Sequence, residues 1–137
     1  MAKVYQPIVE GQSNWVEPLN TMLEALAKST DDSGWIDLPL INGFLPVDRI
    51  GKTQVRKIGK TVTLQLSLSH LTPATSCLKL PTGFVPNRTI PTFVRGLAGA
   101  AYNLSINSDG SVLFESKVDG NYADSDYVGD ILMWVVD

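Results

Sequence analysis

The spacing of apolar residues changes near Gly34. Before it, Trp15, Leu19, Met22 and Leu26 recur at intervals of 4, 3 and 4, the seam of a coiled coil. The stretch "NWVEPLNTMLEALAKSTDDSG" predicts a helix. Asn14 caps it, with Glu17 three residues on as in a capping box. Pro18 lies near the first turn, where its missing N–H costs least. Gly34 closes the helix after the polar run 29–33. Two heptads are too short to stand alone in water. The seam therefore packs on the following domain or on copies of itself, and its narrowness, widened only by Leu23, favours copies.

After Gly34 the period is two, with turn residues every 8 to 12 positions. That pattern predicts an all-β fold, an antiparallel β-barrel or sandwich preceded by a short N-terminal α-helix. The division is 1–33 for the helical segment and 34–137 for the β domain. In "TVTLQLSLSHL", Val62, Leu64, Leu66 and Leu68 face the core, and the opposite set has no charge. "AAYNLSINSDGSVLFES" predicts a hairpin turning at Ser108-Asp109-Gly110, with Tyr102, Leu104, Ile106, Val112 and Phe114 on core parity. "ILMWVV" at 131–136 is apolar on both faces, so it is central and covered on both sides, or pressed against a neighbour. "VRGLAGAAY" is rich in small residues, as where strands bend or backbones approach closely. In "CLKLPTGFVPNRTIP", Pro81 and Pro86 stop ladder bonding and Gly83 permits a turn. It predicts a strand at 78–80 and then a corner, with Phe84 as its core anchor.

Composition narrows the function classes. Charged residues are 18% of the 137-residue chain, below the usual quarter, so part of the surface is neutral or covered by another subunit. Net charge is −3, which does not point to nucleic acid. The basic run Arg49, Lys52, Arg56, Lys57, Lys60 and the acidic segment 115–137, where Lys117 is the single cation, are expected to lie together and neutralise. Cys77 is alone, so it forms no intrachain disulfide, and it reads as a small buried apolar group. No signal peptide and no membrane-length apolar run is present.

Candidate chemistry is sparse. His70 is the sole histidine and lies on core parity at a strand end. No G-x-S-x-G elbow accompanies it, so it reads as a rim or interface histidine rather than a triad member. Asp119-x-Asn121 and Asp124-x-Asp126 begin like calcium loops but lack the closing Glu. As a glycosidase pair, Asp124 and Asp126 lack an apolar setting to raise one pKa. "DGNYADSDY" alternates aromatic and acidic groups, a composition that suits saccharides: an aromatic face packs on the C–H side of a sugar and carboxylates bind its hydroxyls. A solvated surface loop has the same composition.

Taken in order, "SGWIDLPLINGF" (33–44), "QVRKIGKTVTLQLSLS" (54–69), "LKLPTGFVPNRTI" (78–90) and "YNLSINSDGSV" (102–112) resemble the head domains of receptor-binding and baseplate tail proteins of siphophages that infect Gram-positive bacteria. The N-terminal segment is similar to the short helix by which some lactococcal phage receptor-binding proteins trimerise and plug into the baseplate. It departs from the longest members in having no stem or β-prism shoulder between Leu26 and Trp35. The resemblance implies a homotrimer of β-barrel heads in the virion, at the tail baseplate or tip, made in the host cytoplasm. It also implies reversible binding of a host cell-wall polysaccharide or glycerol-phosphate polymer at or near the subunit boundaries, without catalysis, cofactor or metal, contact with another tail protein through the N-terminal segment, and no nucleic acid or membrane partner.

Site residues do not carry over by motif. Those selected from the residues themselves are Tyr102, Asn103, Asn121, Tyr122, Asp124, Asp126 and Tyr127, with Arg95 and His70 as outer candidates. Arg95 suits a phosphate held in fork geometry. Trp15, Leu19, Met22 and Leu26 are the expected oligomer interface. Two other readings stay open: a purely structural baseplate component of the same fold, and a small glycan hydrolase.

Overall fold

The computed structural model describes residues 16–29 and 31–137; Asn14 and Trp15 lie outside the described residues. One helix, α1 (Val16–Ser29), precedes eight strands: β1 (Ile36–Asp37), β2 (Gln54–Ile58), β3 (Thr61–Ser69), β4 (Thr75–Lys79), β5 (Ile90–Arg95), β6 (Ala101–Ile106), β7 (Ser111–Lys117) and β8 (Tyr127–Val135). They form two antiparallel four-stranded sheets, ordered β1-β2-β3-β8 and β4-β7-β6-β5. The architecture is a sandwich, not a closed barrel.

The alternation in β3 decides which face closes the core. Val62, Leu64, Leu66 and Leu68 are at most 1% exposed and meet Leu78, Val94, Leu104, Ile106, Val112 and Phe114 of the other sheet. Each such side chain contributes about 1.5–3 kcal/mol by leaving water. The β6–β7 hairpin turns as the sequence predicts: Gly110 has φ +94, and Asn107 N donates to Ser111 O at 2.9 Å. Cys77 is buried, its Sγ 3.3 Å from Val112 O, and burial pushes its thiol up to about 12. It is therefore an inert core group at neutral pH.

Residues 80–89 form the expected corner. β4 and β5 are opposite edges of one sheet, and this segment carries the chain between them. Phe84 is buried, and its carbonyl accepts from Trp134 Nε1 at 2.8 Å. Gly83 has φ +90, a conformation that favours glycine. The strand before the corner is Thr75–Lys79, so it starts three residues ahead of the 78–80 expectation. Pro91 is tolerated inside β5 because β5 is an edge.

Four expectations are corrected. Of the two readings of 131–136, central or pressed against a neighbour, the central one falls: β8 is an edge strand. Its outer residues Ile131, Met133 and Val135 are exposed, while Val128 and Trp134 face the core. His70 leaves core parity, because the chain turns through φ +57 immediately after β3. The polar run after α1 is not helical: Asp32 bridges Ile58, and Ser33 N donates to Lys57 O at 2.9 Å. The basic and acidic segments do not neutralise one another. Arg56 pairs with Asp32 and Lys52 with Asp37, whereas Lys117 pairs with Asp119 and Asp126 within its own segment.

Among the described residues, α1 makes no extensive packing with either sheet. Leu23 and Leu26 on it are exposed, and Leu19 and Met22 are half-buried.

Candidate functional site

The loop between β7 and β8 is built around one cation. Lys117, at the end of β7, has a side chain only 11% exposed and lies 3.0 Å from Asp126 and 3.8 Å from Asp119. The Ala123 N–H donates to the same Asp126 oxygen at 3.0 Å. That backbone bond, with Lys117 behind it, holds the Asp126 carboxyl below the usual range. The Asp126 carboxylate in turn raises Lys117. Asp119 closes a side-chain turn on Asn121 N at 3.1 Å, the habit of aspartate in turns. Lys117 N donates to the Tyr122 hydroxyl at 2.7 Å, and the Tyr122 ring stands edge-on to Phe114 at 6.5 Å.

These bonds leave part of the Tyr122 ring and all of Asp124 facing outward; Tyr122 is 39% exposed. Across from them the end of β3 turns out His70, whose Nδ1 lies 3.1 Å from Ser69 Oγ. The result is a cleft of about 290 Å³ lined by His70, Leu71, Tyr122, Ala123, Asp124 and Asp126. It has an aromatic surface, an exposed carboxylate, an imidazole and apolar Leu71 and Ala123. That set can receive a ring with one apolar face and several hydroxyls. Asp126 is a poor proton donor near neutral pH, since its partners keep it anionic; a glycosidase acid needs the opposite shift.

The residues selected from sequence divide between this cleft and other places. His70, Tyr122, Asp124 and Asp126 meet in it, and Asn121 is exposed on the same loop. Tyr102 is corrected to the core. It is 0% exposed, packs on Phe114 at 5.8 Å, and offers no surface to a ligand. Among the described residues its hydroxyl has no hydrogen-bond partner, and burial raises its pKa. Gly96 is why it fits: a Cβ there would stand 2.5 Å from the Tyr102 ring and 2.0 Å from Tyr127 O. Asp126 is likewise corrected from a solvated carboxylate to a buried one.

Asn103 is half-buried on the other sheet and donates to Ser116 Oγ at 3.0 Å. Tyr127 is engaged by Arg49, which bonds its hydroxyl and lies 5.3 Å from its ring. Arg95 lines a different recess of about 440 Å³ with Ile50, Lys52, Gln65, Leu66, Gly129, Asp130 and Ile131. Its backbone N–H is 3.1 Å from Asp130, whose carboxylate is 3.7 Å from the guanidinium. Sequence reasoning missed Leu71, Ala123 and the organising Lys117. The available signal for Lys117 was its position as the single cation in an acidic segment.

No protein-family model matches the chain, and no curated protein sequence does. Among solved structures, the receptor binding protein of Listeria phage PSA superposes with a TM-score of 0.63 at 16% identity, over 96% of this chain and 82% of that one. The chain shares the fold of that receptor binding protein. The ordered motifs at 33–112 lie on strands and corners of this sandwich.

Proposed function

We propose that the chain is a phage tail receptor-binding protein that holds a host cell-wall saccharide, without catalysis, in the cleft between His70 and the 118–126 loop. The observation that carries the reading is the pairing of a partly exposed Tyr122 ring with the exposed Asp124 carboxylate in one cleft. The shared fold with a phage receptor binding protein supports it. The protein would work in the virion, at the tail, as a homotrimer, with the segment 1–33 joining the copies and attaching them to a neighbouring tail protein. The exposed Leu23 and Leu26, on a helix that among the described residues makes no extensive contact with either sheet, support that division. Several copies turn weak single-site binding into avidity.

The rival reading is a structural tail component of the same fold. The internal bonding of Asp119 and Asp126 favours it, since both carboxylates already have partners. A Tyr122→Ala/Asp124→Ala double variant separates the two. Co-sedimentation with purified host cell walls is lost under the saccharide reading and unchanged under the structural one.

A further inference from the structure

The charge of the cleft is one-sided. Asp124 and Asp126 line it, and none of the described residues lining it is a lysine or arginine. The loop's own cation, Lys117, is committed: it lies 3.0 Å from Asp126 and 3.8 Å from Asp119, with its side chain 11% exposed. Asp124 is exposed and, among the described residues, makes no hydrogen bond or ion pair. Asp126 is 7% exposed, and the bonds it accepts from Lys117 Nζ and Ala123 N both end on Oδ2. Its Oδ1 therefore remains an acceptor. The rings of Trp35, Tyr127 and Phe84 each hold one of the chain's own cations, Arg56, Arg49 and Lys57. Among the described residues, the Tyr122 ring in the cleft holds none.

We infer that the cleft selects a saccharide bearing a primary ammonium group over a neutral or phosphorylated one; the inference rests on the cleft being the saccharide site proposed above. An ammonium has three N–H donors and no acceptor, which suits Asp124 and the spare oxygen of Asp126. The face of a tyrosine ring attracts a cation within about 6 Å of its centre. Leu71 and Ala123 leave apolar wall for the ring carbons of the sugar. A phosphate in the same place would face two carboxylates, and Lys117 could meet it only by releasing Asp126, which would leave that carboxylate buried and unpaired. An N-acetyl group loses the charge and two of the three donors. Among the described residues no three carboxylate, imidazole or thiol groups are placed to hold a metal ion, so the geometry points to an organic cation. The ammonium could belong to an unacetylated amino sugar or to an aminoacyl group esterified to the sugar; both present the same chemistry.

The test uses the full chain and polysaccharide released from host wall and freed of peptide, with binding read by titration calorimetry at pH 7. The polymer is used untreated, N-acetylated with acetic anhydride in bicarbonate, reductively N-methylated so that the charge stays, or treated with mild alkali to remove esters. N-acetylation is expected to weaken binding about tenfold, and N-methylation far less. Asp124→Asn is expected to bind the untreated polymer about tenfold more weakly and to lose the distinction between untreated and N-acetylated forms. Loss after mild alkali assigns the ammonium to an esterified aminoacyl group, retention to an amino sugar, and either supports the class. Equal binding of untreated and N-acetylated polymer, still abolished by Tyr122→Ala/Asp124→Ala, overturns the ammonium and leaves the cleft standing. Binding that survives Tyr122→Ala/Asp124→Ala overturns the cleft itself. Should a variant fail to fold by circular dichroism, the N-acetylation arm on the wild type decides.

Discussion

Two loops, each with one glycine and one aromatic side chain, have opposite fates. Residues 80–89 and 118–126 both interrupt the sheets, both carry glycine and polar groups, and both hold one aromatic side chain. In the first, Phe84 is 8% exposed, with Trp134 bonded to its carbonyl. Lys57 caps the ring from outside, its Nζ 5.1 Å from the centroid and 3.0 Å from Gly83 O. In the second, Tyr122 is 39% exposed, and the buried centre is the Lys117–Asp126 pair. The corner is held by apolar burial, which takes up its one aromatic side chain. The β7–β8 loop is held by charge and hydrogen bonds, which frees an aromatic surface.

The contrast predicts which changes unfold the protein and which disarm it. The largest effect is expected for Phe84→Ala. It should cost about 3–5 kcal/mol, read as a fall in denaturant midpoint, whereas Tyr122→Ala removes chiefly one hydrogen bond worth about 1 kcal/mol. The contrast breaks if the two variants lose equal stability. Gly96→Ala comes next. Its Cβ would meet Tyr127 O at 2.0 Å, a backbone atom with little room to retreat, and overpacking of this kind costs about 1–3 kcal/mol. Thermal melting should show it, although Gly96 touches neither loop's tip.

Asp126→Asn is expected to be smaller and to depend on pH. The folded carboxyl has a depressed pKa, so its contribution is present above the unfolded aspartate range, near about 3.9, and is lost as pH falls through the folded value. The stability gap between wild type and variant should therefore be full at pH 7 and close in acid. A gap that instead widened in acid would mean that Asp126 is not held as an anion. Tyr102→Phe should do least. Its hydroxyl is buried without a partner, so its removal leaves melting unchanged or raised and leaves cell-wall binding intact.

Much of the sandwich was legible because burial on one face imposes period two. β3, the β6–β7 hairpin and the corner at Phe84 all follow from local pattern, and the parity that put Tyr102 beside Leu104 and Ile106 already placed it in the core. Assigning Tyr102 to a ligand set aside that parity. The rest depends on contacts distant in sequence. Asp126 is buried with Lys117, nine positions earlier at the end of β7 in the other sheet, as its partner. His70 turns outward because its backbone is left-handed, which alternation does not encode. The acidic segment forms no ion pair with the basic run, since β3 separates β2 from β8 in the sheet, and its Asp130 pairs with Arg95 instead. The cleft was half legible: its residue types stood out in "DGNYADSDY", but their grouping with His70 and Leu71 is a product of the fold.

The most direct measurement is a backbone and side-chain NMR titration of the protein with a short saccharide released from host cell wall. The proposal predicts saturable shifts concentrated at His70, Leu71 and 122–126, with Asn103 and Ser116 on the opposite sheet unmoved. Saturable shifts centred on Asn103 and Ser116, or none anywhere with a saccharide that blocks adsorption of the phage, would contradict it.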